Sequence, residues 1–334
     1  MKLSYLWIAA IALPFIACKK DKLATENPTT KPDDYTICAD DSWSGSYEFK
    51  GHIPSFIFTY NNKAYVPRDH GMGLSGDRRV YIFDGSTWTD IATSNPHPTD
   101  LHDAAFTIGS KGYVIFASGA QHQRMFYEYN IITNVWTRKA DYPGSASHNA
   151  STFTIGTKGY VVGGDYSGEY SNETWEYNPA TDTWRERKSL FLPITLAAGF
   201  SIGGKGYITN GKLPNNLGYY YSLVEYDPAT NNWTSRASYP GDGRIRSQYF
   251  VVGDNAYVGG GTNSGDQLLD FYKYTPSTNS WARVDDIPPA NSFYNGFSIN
   301  EKGFVVCNGS SSMIRYNPRY CTTIHTGPAV NMNN

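Results

Sequence analysis

A repeated pattern constrains this chain more than any other feature of its sequence. Its first half is a short apolar signature that occurs six times, beginning at Phe58 (FTYNNKAYV), Phe106 (FTIGSKGYV), Phe153 (FTIGTKGYV), Phe200 (FSIGGKGYI), Phe250 (FVVGDNAYV) and Phe297 (FSINEKGFV). Its second half is an aromatic residue, a turn and a tryptophan, at Phe83 and Trp88, Tyr129 and Trp136, Tyr177 and Trp184, Tyr226 and Trp233, and Tyr274 and Trp281. Repeats of this length indicate units that pack side by side, because a single unit cannot bury its own faces.

Each repeat predicts four short strands. Phe-x-Ile and Gly-Tyr-Val-Val flank a tight turn rich in Gly, Asn and Lys, which is typical of a β-hairpin. The third strand ends in Tyr-Asn-Pro or Tyr-Asp-Pro, where proline stops ladder pairing and Asn or Asp favours a turn. The fourth strand carries the tryptophan. The sequence therefore predicts an all-β fold of six four-stranded units.

The sixth repeat is divided between the two ends of the chain. Its second half begins at Tyr316-Asn-Pro, but Thr323 stands where the tryptophan is expected. Trp43 lies 45 residues before Trp88, close to the spacing of 48 or 49 between the later tryptophans. We therefore expect a strand around Trp43 to complete the last unit.

From about Trp43 to Thr323 the chain resembles the kelch-repeat β-propeller family, which includes the central domain of galactose oxidase. The family's double glycine is present at Gly163-Gly164 and Gly259-Gly260, whereas other repeats depart from it, as at Cys307-Asn308. The resemblance implies a six-bladed propeller over 36–334 that closes through the strand around Trp43. It also implies that the repeated Tyr and Trp residues pack between neighbouring blades.

The amino-terminal segment predicts export. The apolar run from Leu3 to Ala17 has the length of a signal-peptide core and is too short for an ordinary membrane span. Its end, Phe15-Ile-Ala-Cys18, resembles the lipobox of bacterial lipoproteins, here of a Gram-negative bacterium. We expect a signal peptide over 1–17, a lipid on Cys18, a flexible polar tether over 18–35, and anchoring in the cell envelope, at the periplasmic side or surface of the outer membrane. The alternative is a signal peptide cut elsewhere, with an incidental cysteine.

Charge and cysteine content narrow the possible partners. The 28 basic and 30 acidic residues are spread without blocks, so no nucleic-acid partner is expected. Beyond Cys18, three pairings of Cys38, Cys307 and Cys321 are possible. A Cys38–Cys321 disulfide is favoured, because it would join the two halves of the split unit, and an exported location permits it. We interpret Cys307 as a small buried residue.

Two sets of loops differ in length. In a four-stranded antiparallel blade, the turns after the first and third strands lie on one face, and those after the second and fourth lie on the other. The first set is short and uniform, whereas the second is long and variable, as in 67–79, 163–173 and 211–222.

Six of the seven histidines lie in the second set, including His52 and His97. Binding residues usually lie on loops that a rigid scaffold positions, so we place the binding face here. The alternative is that longer loops simply contain more polar residues. The candidate binding residues are His70, Arg78, His102, Asp103, His122, Arg124, His148, Asp165, Tyr166, Tyr220, Arg244, Arg246 and Tyr294.

Two functions from different classes remain open. The first is a binding module, expected to be a monomer, in which loop tyrosines and charged residues of the long-loop face bind a glycan or an envelope protein. The second is a periplasmic carbohydrate-active enzyme, since the kelch architecture includes galactose oxidase and sialic acid mutarotases. Mutarotation needs a general acid, a general base and an arginine that holds a carboxylate. No ligand pair with diagnostic spacing is present, so no metal, other cofactor or catalytic residue is assigned.

Overall fold

The computed structural model of the chain describes residues 35–38, 41–48, 56–67, 79–93, 102–118, 123–290, 292–308, 312–318 and 321–324. Within these ranges the chain consists of strands and turns, and no helix is present that could cross a membrane. Six four-stranded antiparallel sheets are arranged as the blades of a β-propeller, which confirms the predicted fold class. The predicted signal peptide over 1–17, the predicted lipidation site Cys18 and the predicted tether up to residue 34 lie outside the described residues.

Each blade is built from four strands in the order in which they occur in the chain, except that the sixth blade takes its outer strand from the amino-terminal side. The strands of blades 1 to 3 are Phe58–Tyr60, Lys63–Pro67, Arg79–Phe83 and Trp88–Ala92; His102–Ile108, Lys111–Ser118, Gln123–Asn130 and Val135–Arg138; and Ser151–Ile155, Lys158–Val162, Thr174–Asn178 and Thr183–Arg187. The strands of blades 4 to 6 are Ala198–Ile202, Lys205–Thr209, Leu223–Asp227 and Asn232–Arg236; Gln248–Val252, Asn255–Gly259, Phe271–Thr275 and Ser280–Val284; and Ser292–Ile299, Lys302–Asn308, Ser312–Asn317 and Ser42–Glu48.

The first strand of each blade is the innermost, and these six strands contact one another in cyclic order, the sixth returning to the first. The ring closes as the sequence predicts. Ser42–Glu48 pairs antiparallel with Ser312–Asn317, and Trp43 stands opposite Tyr316. This is the register of Tyr177 with Trp184 in the third blade. Trp43 therefore completes the sixth blade.

Packing between blades explains why glycine precedes the tyrosine of the second strand. A Cβ atom on Gly159 would lie 2.0 Å from the ring of Phe106, which belongs to the preceding blade. A Cβ atom on Gly206 would lie 2.2 Å from the ring of Phe153 in the same way. Each phenylalanine thus packs directly on the backbone of the next blade. At these two positions the repeat needs a residue without a side chain.

The repeated tryptophans join neighbouring blades. The indole Nε1 of Trp184 donates to the backbone oxygen of Ala140 in the preceding blade, at 2.9 Å. The bonds from Trp233 to Lys188, from Trp281 to Ala237 and from Trp43 to Asp285 are equivalent, at 2.8 to 2.9 Å. The aromatic repeat positions are therefore structural, as the family resemblance implies.

The residue two positions before the tryptophan also connects neighbouring blades. Asn231 has a left-handed backbone, with φ of 52°, which Asn adopts more readily than most residues. Its side-chain Oδ1 accepts hydrogen bonds from the hydroxyl of Tyr226, at 2.8 Å, and from the backbone N–H of Lys188 in the preceding blade, at 3.0 Å. Asp182 and Asn279 occupy the same place at other junctions. The turn chemistry of the repeat thus also holds the blades together.

Two further strands, Tyr35–Cys38 and Cys321–Ile324, pair with each other in a two-stranded sheet. The first of these strands ends at Cys38 and the second begins at Cys321, the two cysteines of the predicted disulfide. The side chains of Cys38 and Cys321 lie outside the described residues, so the disulfide stays a prediction. Cys307 is 2% exposed and unpaired. It packs as a small buried residue, as the sequence suggests.

Candidate functional site

The long-loop face is best described over blades 3 to 5, where residues 139–290 form an unbroken stretch. In each of these blades, the residue three positions before the first strand pairs with a residue that follows the second strand. The pairs are His148 with Asp165, Thr195 with Lys212, and Ile245 with Thr262. These isolated bridges fix the loops of the face to the inner strands.

The next residue in each of these blades has a left-handed backbone. Asn149, Leu196 and Arg246 have φ values of 52°, 57° and 55°. Leu and Arg rarely adopt this conformation, and such strain persists only where the surroundings impose it. Here the backbone N–H of Leu196 donates to the oxygen of Asn149 at 3.1 Å, and that of Arg246 donates to the oxygen of Leu196 at 3.2 Å. We call these three residues the inner arc. The arc links three blades through backbone hydrogen bonds at the start of their innermost strands.

Asp165 is held beside this arc. Its Oδ2 accepts hydrogen bonds from the amide of Asn149, at 3.0 Å, and from the hydroxyl of Thr195 in the next connection. Thr195 is buried and Asp165 is half-buried, whereas His148 is exposed. The arrangement fixes the carboxylate of Asp165 in one orientation while leaving part of it open to solvent. Such a group can accept hydrogen bonds from a hydroxylated ligand.

Arg244 and Arg246 were both predicted as ligand-binding residues, and the structure gives them different surroundings. The guanidinium of Arg244 is completely buried and makes a bidentate ion pair with Asp270, at 2.7 and 2.8 Å. It also donates to the backbone oxygens of Gly260 and Asp242, and it lies over the ring of Tyr239. All three nitrogens of its guanidinium group donate hydrogen bonds inside the protein. Arg246 is exposed on the inner arc, so the structure offers Arg246, and not Arg244, to a ligand.

Arg124 also has an internal role. Its Nη1 donates to the backbone oxygen of Ser145 at 3.2 Å, and its Nε lies 3.4 Å from that of Tyr142. Both acceptors belong to the connection between blades 2 and 3. Arg124 therefore holds that loop in place.

The loop tyrosines divide into two groups. Tyr220 packs against the apolar core between blades 3 and 4, and burial raises the pKa of its phenol. The hydroxyl of Tyr219 accepts the backbone N–H of Ser264 in the next blade, at 2.8 Å, which lowers its pKa. Both residues are structural. Tyr166 and Tyr221, in contrast, are 37% and 56% exposed.

Three further apolar residues that are exposed on the same face were not predicted from the sequence. Phe191 and Leu192 are 58% and 49% exposed in the connection between blades 3 and 4, and Leu217 is 70% exposed in the loop 211–222. Lys212 pairs with both Thr195 and Tyr219, so these two loops adjoin. The signal was available in the sequence, because Leu190-Phe-Leu-Pro is an apolar run within a loop. Tyr166, Phe191, Leu192, Leu217 and Tyr221 are called the apolar set below.

The side chains of the remaining predicted site residues lie outside the described part of the structure. His70, Arg78 and His122 lie outside the described residues. His102, Asp103 and Tyr294 lie in the strands His102–Ile108 and Ser292–Ile299, but their side chains are outside the described part. Over the residues that are described, no three His, Cys, Asp or Glu side chains form a group that could hold a metal ion.

Comparisons with known proteins agree with this geometry. The Kelch motif family model matches residues 146–190. The chain is 35% identical to β-scruin of Limulus polyphemus over 117 residues, which is 34% of this chain and 13% of scruin. It is 33% identical to N-acetylneuraminate epimerase of Salmonella typhi over 155 residues, which is 38% of this chain and 40% of the epimerase. The chain therefore spans less than half the length of these curated relatives.

Among solved structures, the chain is similar to that of YjhT, with a TM-score of 0.54 and 18% sequence identity. The alignment covers 63% of this chain and 73% of that one. At this identity the likeness concerns the fold alone. Together with the six blades and the motif match, it defines the class of the protein, a kelch-repeat β-propeller.

Proposed function

We propose that this propeller is a binding module whose long-loop face recognises a glycan or a protein of the cell envelope. The observation that carries the proposal is the distribution of exposed apolar side chains. Six large apolar residues are exposed in the described part of the chain, and five of them, the apolar set, lie on this face. The sixth, Ile132, lies in a short turn on the opposite face. Exposed apolar residues that gather on one face mark interaction sites.

The polar groups of the face suit the same role. The fixed carboxylate of Asp165 and the exposed guanidinium of Arg246 provide an acceptor and donors. Exposed Tyr166 and Tyr221 provide aromatic surfaces, which contribute large contact areas at low cost in side-chain entropy. An aromatic surface beside a few oriented polar groups is typical of recognition sites.

The test is binding of the purified protein to a glycan array and to solubilised envelope proteins. The double variants Phe191→Ser/Leu192→Ser and Leu217→Ser/Tyr221→Ser should weaken retention at least tenfold, since each removes a pair of apolar anchors worth about 1 to 2 kcal/mol or more. Ile132→Ser is the matched control and should leave retention unchanged. Equal loss in the control, or no loss in either double variant, would contradict the proposal.

The proposed location of this module is the cell envelope, where a lipid on Cys18 would anchor it. The support is the leader itself, an apolar run that ends in Phe-Ile-Ala-Cys. Metabolic labelling with a palmitate analogue should mark the parent protein and not the Cys18→Ser variant. Labelling of both would refute the anchor.

A second candidate function is that of a sugar epimerase or mutarotase, favoured by the 33% identity to N-acetylneuraminate epimerase. Asp165 would then serve as a proton acceptor and Arg246 as the partner of a substrate carboxylate. Exchange between the anomers of N-acetylneuraminate, followed by NMR, tests this candidate. A rate that exceeds the uncatalysed rate and falls in Asp165→Asn would favour the enzyme over the binding module.

A further inference from the structure

Two neighbouring loops of the long-loop face are rich in apolar residues and free of acidic ones. They are the connection 188–197 between blades 3 and 4 and the loop 211–222 of blade 4, called the loop pair below. Together they contain two lysines and no aspartate or glutamate. Seven of their residues are exposed, and four of these belong to the apolar set, Phe191, Leu192, Leu217 and Tyr221; the others are Lys188, Asn215 and Asn216. The outer surface of the loop pair is therefore mostly apolar.

Phe191 and Leu192 are exposed although their neighbours on both sides are buried. Leu190 and Ile194 are 6% and 2% exposed and belong to the core between blades 3 and 4. The backbone N–H groups of Leu190 and Ile194 donate to the backbone oxygens of Asn172 and Ser171, at 2.8 and 3.0 Å. Phe191 and Leu192 thus lie between two fixed points of the backbone.

Leu217 is exposed in a tight turn of the second loop. The backbone N–H of Leu217 donates to the oxygen of Pro214 at 3.1 Å, and that of Leu213 donates to the oxygen of Gly218 at 3.0 Å. Thr195 and Lys212 exchange two backbone hydrogen bonds, at 2.8 and 3.2 Å, which join this loop to the connection 188–197. The exposed apolar residues are therefore preorganised, so that little conformational entropy is lost when they bind.

The chemistry of the loop pair favours a lipid over a free sugar. A sugar presents hydroxyl groups and packs on aromatic rings, whereas Leu192 and Leu217 offer neither a hydrogen bond nor a ring. Aliphatic side chains gain most from an apolar partner, such as the acyl chains at the surface of a bilayer.

The charge of the loop pair complements an anionic bilayer. Lys188 and Lys212 have no ion pair with any described residue, and basic groups beside an apolar surface are attracted to anionic lipids. Three exposed carboxylates of the face, Glu169, Asp242 and Asp266, lie in other loops. Contact with an anionic surface is therefore expected to centre on the loop pair.

The length of the chain before the first strand permits this contact. Sixteen residues separate Cys18 from Tyr35, and a chain of that length spans at most about 55 Å. A lipid on Cys18, as proposed above, would keep Tyr35 within that distance of the bilayer. Tethering raises the effective concentration of the loop pair at the lipid surface, so a weak affinity is sufficient.

We propose that the loop pair docks on the surface of an anionic lipid bilayer. Phe191, Leu192, Leu217 and Tyr221 insert among the lipids, and the two lysines lie beside the headgroups. The inference rests on the proposed function and narrows it. A face that lies on lipid meets glycans that are carried on lipids, and Asp165 and Arg246 remain available for their polar part.

The experiment is photocrosslinking of the full-length protein to lipid. The protein is reconstituted in vesicles of equal amounts of phosphatidylcholine and phosphatidylglycerol that contain a phospholipid with a diazirine on its acyl chain. Mass spectrometry then identifies the crosslinked peptides. The variants are Phe191→Ser/Leu192→Ser, Leu217→Ser/Tyr221→Ser and Lys188→Gln/Lys212→Gln, with Ile132→Ser as the control. All of them keep the amino-terminal segment, so its contribution to membrane binding is constant.

We expect crosslinks in 188–197 and 211–222 and none in the short turn around Ile132. Phe191→Ser/Leu192→Ser should lower the yield in 211–222 at least fivefold, and Leu217→Ser/Tyr221→Ser should do the same in 188–197. Reading the loop that is not substituted excludes a simple loss of the reactive residue. Lys188→Gln/Lys212→Gln, or vesicles of phosphatidylcholine alone, should lower both yields at least fivefold, and Ile132→Ser should lower neither.

Equal crosslinking of the loop pair and the turn around Ile132, or parent-like yields in both serine double variants, would overturn the docking. Unchanged yields in vesicles of phosphatidylcholine alone would overturn the anionic lipid as its partner. The glycan array and envelope screen separate this inference from the proposed function. A retained envelope protein without lipid crosslinks would contradict the docking and leave the binding module intact, whereas crosslinks without any retained ligand would support the docking and contradict the proposed function.

Discussion

Arg244 and Arg246 are two residues apart in one loop, but Arg244 is buried in an ion pair whereas Arg246 is exposed and is proposed to bind the ligand. Replacing Arg244 by Ala would leave Asp270 without its bidentate partner in a largely buried position. We expect a loss of about 3 to 5 kcal/mol in the free energy of unfolding. Exposed Arg246→Ala should change it by no more than about 0.5 kcal/mol. Urea unfolding of both variants measures the contrast, and equal stabilities would refute the structural assignment of Arg244.

The pKa values of buried tyrosine and cysteine side chains determine how the stability of the protein changes at alkaline pH. Burial raises the pKa of Tyr274 from 10.0 to about 12 and that of the Cys307 thiol from 9.0 to about 12. The unfolded chain releases these protons at the lower values, whereas the folded chain retains them. The contribution of these two groups to stability is therefore constant below about pH 9 and falls as the pH rises from there towards 12. Melting temperatures measured from pH 7 to 11 should decline above pH 9, and a rise would contradict the assignment.

The same burial protects Cys307 from chemical modification. A thiol reacts as the thiolate, and the raised pKa keeps Cys307 protonated at pH 8. We expect its alkylation by iodoacetamide to require unfolding, so that labelling becomes rapid only in denaturant. Mass spectrometry of the Cys307 peptide reads the outcome directly. Rapid labelling of the native protein would show that the residue is accessible.

The turn before the fourth strand holds blades together at the scale of the element. Asn231→Ala removes an acceptor for Tyr226 and for Lys188 and places alanine at a left-handed position. We expect a loss of about 2 to 4 kcal/mol. Asn215 has a similar φ of 54° in a loop but no such bonds, so Asn215→Ala should cost only about 1 kcal/mol. Similar losses in both variants would show that the backbone conformation alone matters.

At this scale the sequence predicts most of the fold. The Tyr and Trp of each repeat, and Trp43 at the far end of the chain, have the places that their spacing implies, because aromatic packing between blades repeats with the chain. The site is less predictable. Arg244 and Arg246 look alike in the sequence, and only the position of Asp270 distinguishes them. Phe191 and Leu192 resemble core residues, since their exposure depends on how two loops pair.

At the scale of the whole molecule, the predicted Cys38–Cys321 disulfide would join a strand near the amino terminus to a strand near the carboxy terminus. The strands that carry these cysteines, Tyr35–Cys38 and Cys321–Ile324, pair with each other in a two-stranded sheet. A bond that closes so long a loop would stabilise by about 4 to 5 kcal/mol in the chain-entropy view. We expect Cys38→Ser to melt at a lower temperature and to be insensitive to reductant, whereas Cys307→Ser should keep the parent's sensitivity. Equal melting of Cys38→Ser and the oxidised parent would exclude the bond.

We propose that one face of this propeller, the face with the long loops of blades 3 to 5, is the binding face. Hydrogen–deuterium exchange of the full-length protein, with and without the ligand that the array or envelope screen retains, tests it most directly. We expect slower exchange in the loops 163–173, 188–197 and 211–222, and no change in the short turn around Ile132. Protection confined to the short turns, with the three loops unaffected, would contradict the claim.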